Sequence, residues 1–181
     1  MKQTLVIGHI ALIQKLKKQH FILKLIKTLR AVGYDAVGVF AGECREPEYM
    51  DYLAKKTQEY GLNNFVVFLG RRSDIPDILK TIDILIIPSA FEGFPLAGLE
   101  AASAGVPVAA CKVAGAEEFI LQSGNGTCFV EDDVNEAVAA IQNILANRMN
   151  MTMAGKFFAE KNKIPAYKTA IHKVFQLTKE G

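Results

Sequence analysis

Six short runs of almost continuous apolar, often branched residues recur along this chain, at 5–8, 36–41, 65–69, 82–87, 106–110 and 127–130, with amphipathic stretches between them. A strand with one face in water alternates apolar and polar residues. These runs do not alternate, so they predict strands covered on both faces, as in a parallel sheet. The intervening stretches carry helix signals. Residues 18–32 place Phe21, Leu25, Thr28 and Leu29 on one face and stop at Gly33. Residues 47–60 open on Pro47 and stop at Gly61. Ser73 is positioned to cap a short helix through residue 79, and Asp133 to cap one over 134–146. Two terminal helices follow, 149–163 and 166–179, broken at Pro165. Strand–helix alternation of this kind predicts an α/β fold, a doubly wound parallel sheet with right-handed crossovers. A chain of 181 residues suits one such domain, spanning 1–181.

Composition removes several function classes. A net charge of +2 gives no electrostatic case for nucleic acid or an acidic membrane surface. Cys44, Cys111 and Cys128 are odd in number and lack C-x-x-C spacing, so they read as reduced core thiols of a cytoplasmic protein. No apolar run reaches membrane-span length, and no signal peptide is visible. The first strand starts almost at Met1, as it would in an excised domain or a truncated reading frame. No G-x-G-x-x-G follows that strand, which argues against a nicotinamide dehydrogenase.

Doubly wound sheets bind ligands at the carboxyl ends of their strands. Gly8-His9, Gly42, Gly70-Arg71, 89–95 and 113–116 fall there. Taken singly, each glycine reads as a tight turn. The segment from Pro88 to Ala101 says more. It holds Glu92 and Glu100 in an E-x7-E spacing, with Pro95 placed for the first turn of a helix. Both carboxylates can then reach one ligand lying across that helix N-terminus. The amides of Phe94, Leu96 and Ala97 are free there to meet anionic oxygens. Gly93 and Gly98 allow close approach. Glu100 lies among Leu96, Leu99, Ala101 and Ala102, and the local sequence offers neither glutamate a basic partner. A polyol would supply the missing donors. The competing reading is two solvated glutamates.

Residues 83–108 resemble the signature of glycosyltransferase family four, a group of retaining GT-B sugar transferases. The resemblance rests on the D-I-L-I-I-P-S run, E-G-F-P, the second glutamate and G-V-P-V. Weaker pieces follow in order over nearly the whole chain: Gly8, Phe40-Ala41-Gly42, Phe68-Leu69-Gly70, Ala114-Gly115 with Glu118, and 126–130. The resemblance implies the Rossmann-like C-terminal half of a GT-B fold, with the N-terminal acceptor domain absent from this chain. It implies that Glu92 binds donor-sugar hydroxyls and Glu100 both ribose hydroxyls. Gly93 and the amides of Phe94, Leu96 and Ala97 would lie by the sugar and pyrophosphate, and Gly70 with Arg71 by the base. It implies no cofactor and no metal, in keeping with the lack of a D-x-D. Glu131-Asp132-Asp133 stands before a helix, where carboxylates favour the dipole.

The family places an Arg after the first strand and a Lys about one turn on, both on the diphosphate. Here His9 stands at the first place, expected to donate to phosphate and to bring charge as imidazolium. Lys17 is the preferred lysine and Lys15 the second choice, while Lys24 and Lys27 read as solvated. The implied activity is sugar transfer from a nucleotide-diphosphate sugar with retention, in polysaccharide or glycolipid synthesis. The full-length protein would associate peripherally with the inner face of the membrane, and this chain alone would transfer nothing. A decayed, non-catalytic domain, hinted at by His9, and a sugar-nucleotide epimerase or phosphorylase-like enzyme are the alternatives. His20 and His172 read as surface or partly buried helix residues, and Phe157, Phe158, Tyr167 and Phe175 as helix core.

Overall fold

The structure, a computed structural model, describes residues 4–162. Six strands form one sheet: β1 (Leu5–Ile10), β2 (Ala36–Ala41), β3 (Val66–Phe68), β4 (Ile84–Ile87), β5 (Val108–Cys111) and β6 (Gly126–Phe129). Every pairing is parallel and the order is β3-β2-β1-β4-β5-β6. Each connection carries a helix: α1 (Gln19–Ala31), α2 (Pro47–Glu59), α3 (Ile75–Lys80), α4 (Leu96–Ala104) and α5 (Ala114–Ser123), with α6 (Val134–Lys161) after the last strand. The chain is thus the doubly wound α/β sheet expected. All four residues of β4 and of β5 are buried, because helices cover both faces.

Two cores result. On one face α1, α2 and the first half of α6 pack Phe21, Ile26, Leu53 and Ile141 against Ile7, Ile84 and Ile86. On the other, α3, α4 and α5 pack Leu79, Ala102 and Phe119 against Leu85, Ile87 and Val108. Beyond Phe21, Leu25 and Leu29, α1 also buries Ile22, Leu23 and Ile26, because the sheet, α2 and α6 all contact it.

Several expectations are corrected. β1 runs on to Ile10, so His9 is a strand residue paired with Phe40 and not part of a turn. The helices expected over 134–146 and 149–163 are both present, in contrast, as two helical stretches of α6 that meet at a kink where Asn147 leaves helical geometry. That bend lets its second half bury Ala159 against the other core. Asp133 caps α6 as expected, accepting from the amides of Asn135 and Glu136. The cap residue of α3 is Asp74, not Ser73, and its carboxylate is held by Arg72. Phe157 is 63% exposed and Cys44 is exposed, so neither is core. The helix expected over 166–179, with Tyr167, His172 and Phe175, lies outside the described residues. No helix among the described residues is long and apolar enough to cross a membrane.

Candidate functional site

Strand order reverses between β1 and β4, and loops leaving the two strands in opposite directions open a crevice at their carboxyl ends. There a cavity of about 230 Å³ is lined by His9, Leu12, Lys17, Ser89, Glu92 and Phe94 to Ala97. The loop after β1 enters a single 3₁₀ turn, Lys15–Lys17. The loop after β4 carries Glu92. A backbone bond from Ala90 N–H to Leu16 C=O (3.2 Å) ties the two loops together. Lys17 Nζ then donates to Glu92 Oε1 at 2.7 Å, with the side chains 20% and 13% exposed. The partner that the local sequence lacked comes from 75 positions away. Lys15, by contrast, is exposed and meets Glu46 only through its backbone amide. Of the two candidate lysines, the fold brings Lys17 to Glu92.

The Glu92 loop is positioned from behind by α5. The Gly115 amide donates to Glu92 C=O at 3.2 Å, and a Cβ at 115 would overlap the Gly93 carbonyl oxygen. Gly115 is therefore required for close approach of backbone to backbone. In front of Gly93 the space is open. Gly98 packs against the Phe119 ring and so serves helix packing, not the ligand approach expected of it.

Pro95 is the cap residue of α4, and its carbonyl takes the amides of Gly98 (2.8 Å) and Leu99 (3.1 Å). The amides of Leu96 and Ala97 bond to nothing among the described residues, and no side chain caps them. Unbonded amides at the positive end of a helix, with an ammonium on the same cavity wall, make a receptor for anionic oxygen.

His9 contradicts one expectation. It is 3% exposed, with Nδ1 2.9 Å from Ile86 C=O and Nε2 3.2 Å from Gln19 Nε2. Nδ1–H donates to the carbonyl and Nε2 accepts from the amide, so both nitrogens are used in the neutral ring. Desolvation pulls its pKa down to about 4, and Lys17 nearby pushes the same way. His9 brings no positive charge near neutral pH.

Glu100 lies on the exposed flank of α4 and is not on the cavity wall. It accepts no hydrogen bond among the described residues, and desolvation holds its carboxyl above the ordinary range. Arg71, also exposed, lines a second concavity of about 290 Å³ with Gly42, Arg45 and Arg72. Ile10, Ala11 and Leu12 are shared by both concavities, which makes one crevice across the ends of β4, β1, β2 and β3. Gly70 turns there with φ +66°, and its carbonyl takes the Gly42 amide at 2.8 Å.

Three residues have surroundings that the sequence reading did not give them. Ser89 is fully buried on the cavity wall, and its Oγ has no partner among the described residues. Gln19, fully buried at the start of α1, joins His9 to Leu12 C=O (2.9 Å). Lys18 binds Glu131 and Asp132. A polar residue at a buried helix start was the one signal for Gln19. Among the described residues no three His, Cys, Asp or Glu side chains gather as a metal set.

Comparisons with known proteins bear on this site. The sequence profile of glycosyl transferases group 1 matches residues 2–162. The UDP-Gal:alpha-D-GlcNAc-diphosphoundecaprenol alpha-1,3-galactosyltransferase of Escherichia coli is 31% identical over 116 residues, 64% of this chain and 29% of that protein. The D-inositol 3-phosphate glycosyltransferase of Mycobacterium marinum is 30% identical over 142 residues, 77% of this chain and 30% of that one. The chain thus spans about a third of these relatives' lengths or less. Among solved structures, HepE of Anabaena in complex with UDP and glucose superposes with a TM-score of 0.83 at 23% identity, over 97% of this chain and 48% of that chain. The C-terminal domain of a glycosyl transferase group 1 family protein, LpcC of Francisella tularensis, superposes at 0.76 and 23% identity, over 88% and 87% of the two chains.

Proposed function

This chain belongs to the glycosyl transferases group 1 family, and on that premise we propose that it is the donor-nucleotide domain of a retaining glycosyltransferase. The observation that carries the reading is the Lys17–Glu92 pair, set beside the unbonded amides of Leu96 and Ala97 at the point where strand order reverses. A nucleotide-diphosphate sugar laid across this point would put its diphosphate on Lys17 and the α4 amides. Its sugar would meet Glu92, whose Oε1 is taken by Lys17 and whose Oε2 accepts nothing among the described residues. The nucleoside would run toward Gly70 and Arg71, with Glu100 accepting from the ribose hydroxyls. UDP in the HepE complex supports a nucleotide in such a fold.

In transfer, the bond from the anomeric carbon to the diphosphate oxygen breaks and a bond to an acceptor oxygen forms. Negative charge grows on the leaving diphosphate. A fixed ammonium and two aligned amides stabilise that charge in the transition state more than in the bound donor, which is the source of rate. In this reading the leaving group needs no metal. Acceptor binding and completion of the site belong to a further domain, so the chain alone binds nucleotide without transferring sugar. The name of the Escherichia coli relative contains a diphosphoundecaprenol acceptor. By that likeness the proposed acceptor class is a lipid-linked glycan or a surface polysaccharide, with the whole protein peripheral to the inner membrane face.

Calorimetric titration of the chain with UDP, GDP and ADP tests the site. One nucleotide is expected to bind, and Lys17→Ala and Glu100→Ala are each expected to weaken it by about tenfold or more, the worth of a charge-assisted hydrogen bond. Binding of none of the three overturns the reading.

A further inference from the structure

Among the described residues two that are not glycine have left-handed backbone, Lys18 (φ 49°) and Asp132 (φ 59°). They bond to each other. Lys18 Nζ lies 2.6 Å from Glu131 Oε1 and 2.8 Å from Asp132 Oδ2, partners 113 and 114 positions away. The left-handed region costs an L-residue free energy that glycine does not lose, and it persists only where surroundings hold it. Here the surroundings are ionic. The Lys18 side chain is 14% exposed, well covered for a lysine. Desolvation pulls its pKa down, but the bonds to Asp132 and Glu131 outweigh that and the net shift is upward.

Lys18 occupies a junction. Its amide closes the 3₁₀ turn on Lys15 C=O (3.0 Å), and its carbonyl accepts the Phe21 amide (2.9 Å) as α1 begins. Its φ and ψ therefore set the direction in which the preceding residue, Lys17, leaves the turn toward Glu92. The other end of the clamp is also firm, since Asp133, next in the chain, caps α6. A lone surface ion pair is worth little. Two carboxylates converging on one ammonium, with a strained backbone held behind it, do more.

We propose that Lys18 is a positioning residue, whose ion pair with Glu131 and Asp132 holds the strained turn that presents Lys17 to Glu92 and to the donor diphosphate. The proposal rests on the reading of Lys17 as the diphosphate cation. Glycine separates this role from a direct effect of charge, because Lys18→Gly and Lys18→Ala lose the same ammonium but only Gly keeps the left-handed turn without strain.

The test titrates the wild type and variants with whichever of UDP, GDP and ADP the wild type binds. It also follows hydrogen exchange at the Lys17 and Lys18 amides. Lys18→Ala is expected to weaken binding about tenfold or more, as displaced catalytic groups do, with Lys18→Gly intermediate. The double variant Glu131→Gln, Asp132→Asn keeps Lys18 and should match Lys18→Ala. Exchange at both amides should rise about tenfold in Lys18→Ala, confined to the turn. Unchanged affinity in all variants overturns the proposal, and so does an equal loss in the Gly and Ala variants, which would mean charge alone. If the wild type binds no nucleotide, the reading of the site fails and exchange decides the clamp: unchanged protection in Lys18→Ala overturns it.

Discussion

His9, on β1, reaches the Ile86 carbonyl of β4 with almost no access to water, and the cost of charging it there holds its pKa near 4 against an ordinary 6.5. That difference has a sign in stability. Above pH 6.5 the ring is neutral in both folded and unfolded chains. As pH falls below 6.5 the unfolded chain takes up a proton that the folded chain refuses until about pH 4, so stability falls through that window. Between pH 7 and pH 5 the expected loss is about 2 kcal/mol from His9. Burial lowers the pKa of His20 too, so it adds in the same direction. Urea unfolding at the two pH values measures the sum, and most of the slope should vanish in His9→Gln. A slope unchanged by that substitution would mean that His9 is already charged or solvated. At this scale Lys17 and Glu92 were singled out by the resemblance and by the E-x7-E spacing, but that they pair with each other was not legible across 75 positions. Nor was the state of His9. It depends on how far β1 continues and on the Ile86 carbonyl, 77 positions away, and neither is written near residue 9.

Among the elements, α5 and the loop after β4 meet at a contact that tolerates no side chain. A Cβ at Gly115 would overlap the Gly93 carbonyl, whereas one at Gly93 would meet nothing within 4 Å. Neither glycine has positive φ, so the contrast is one of space and not of backbone freedom. Gly115→Ala should therefore destabilise the chain by about 1–3 kcal/mol and push the Glu92 loop off α5. Gly93→Ala should leave stability within about 0.5 kcal/mol. Thermal and urea unfolding of both variants check the pair, and equal effects would show that the loop yields. The two glycines look alike in the sequence. What tells them apart is whether another backbone passes by. The strands were legible for the opposite reason, since an apolar run records its burial locally, and all six expected runs became strands with ends moved by two residues at most, although the edge strand β3 is only partly covered and leaves Val67 45% exposed. The kink in α6 was legible too, since the two helices expected there meet at Asn147, where the backbone leaves helical geometry.

At the scale of the molecule, the sheet has a narrow seam. β1 pairs with β2 through six residue pairs but with β4 through two, Ile7↔Ile84 and Gly8↔Leu85. Side chains extend the seam at both ends: Asp83 accepts the Val6 amide (2.9 Å), His9 reaches Ile86, and Lys17 reaches Glu92. The proposed nucleotide lies across the same seam, touching the turn after β1 on one side and α4 on the other. Binding should then stabilise the whole chain by mass action, by about 2.7 kcal/mol at a hundred times Kd, which is a rise of roughly 5–10 °C in Tm. A nucleotide held anywhere on the folded state gives that shift, so the shift alone does not place the ligand. Hydrogen exchange does. A ligand bridging the seam slows exchange in the Lys15–Lys17 turn and at the first amides of α4 together, and Lys17→Ala should lessen both, although only one side has lost a contact. Protection on one side alone would put the ligand within one half of the sheet, and the seam would then be a feature of the fold and not of the site.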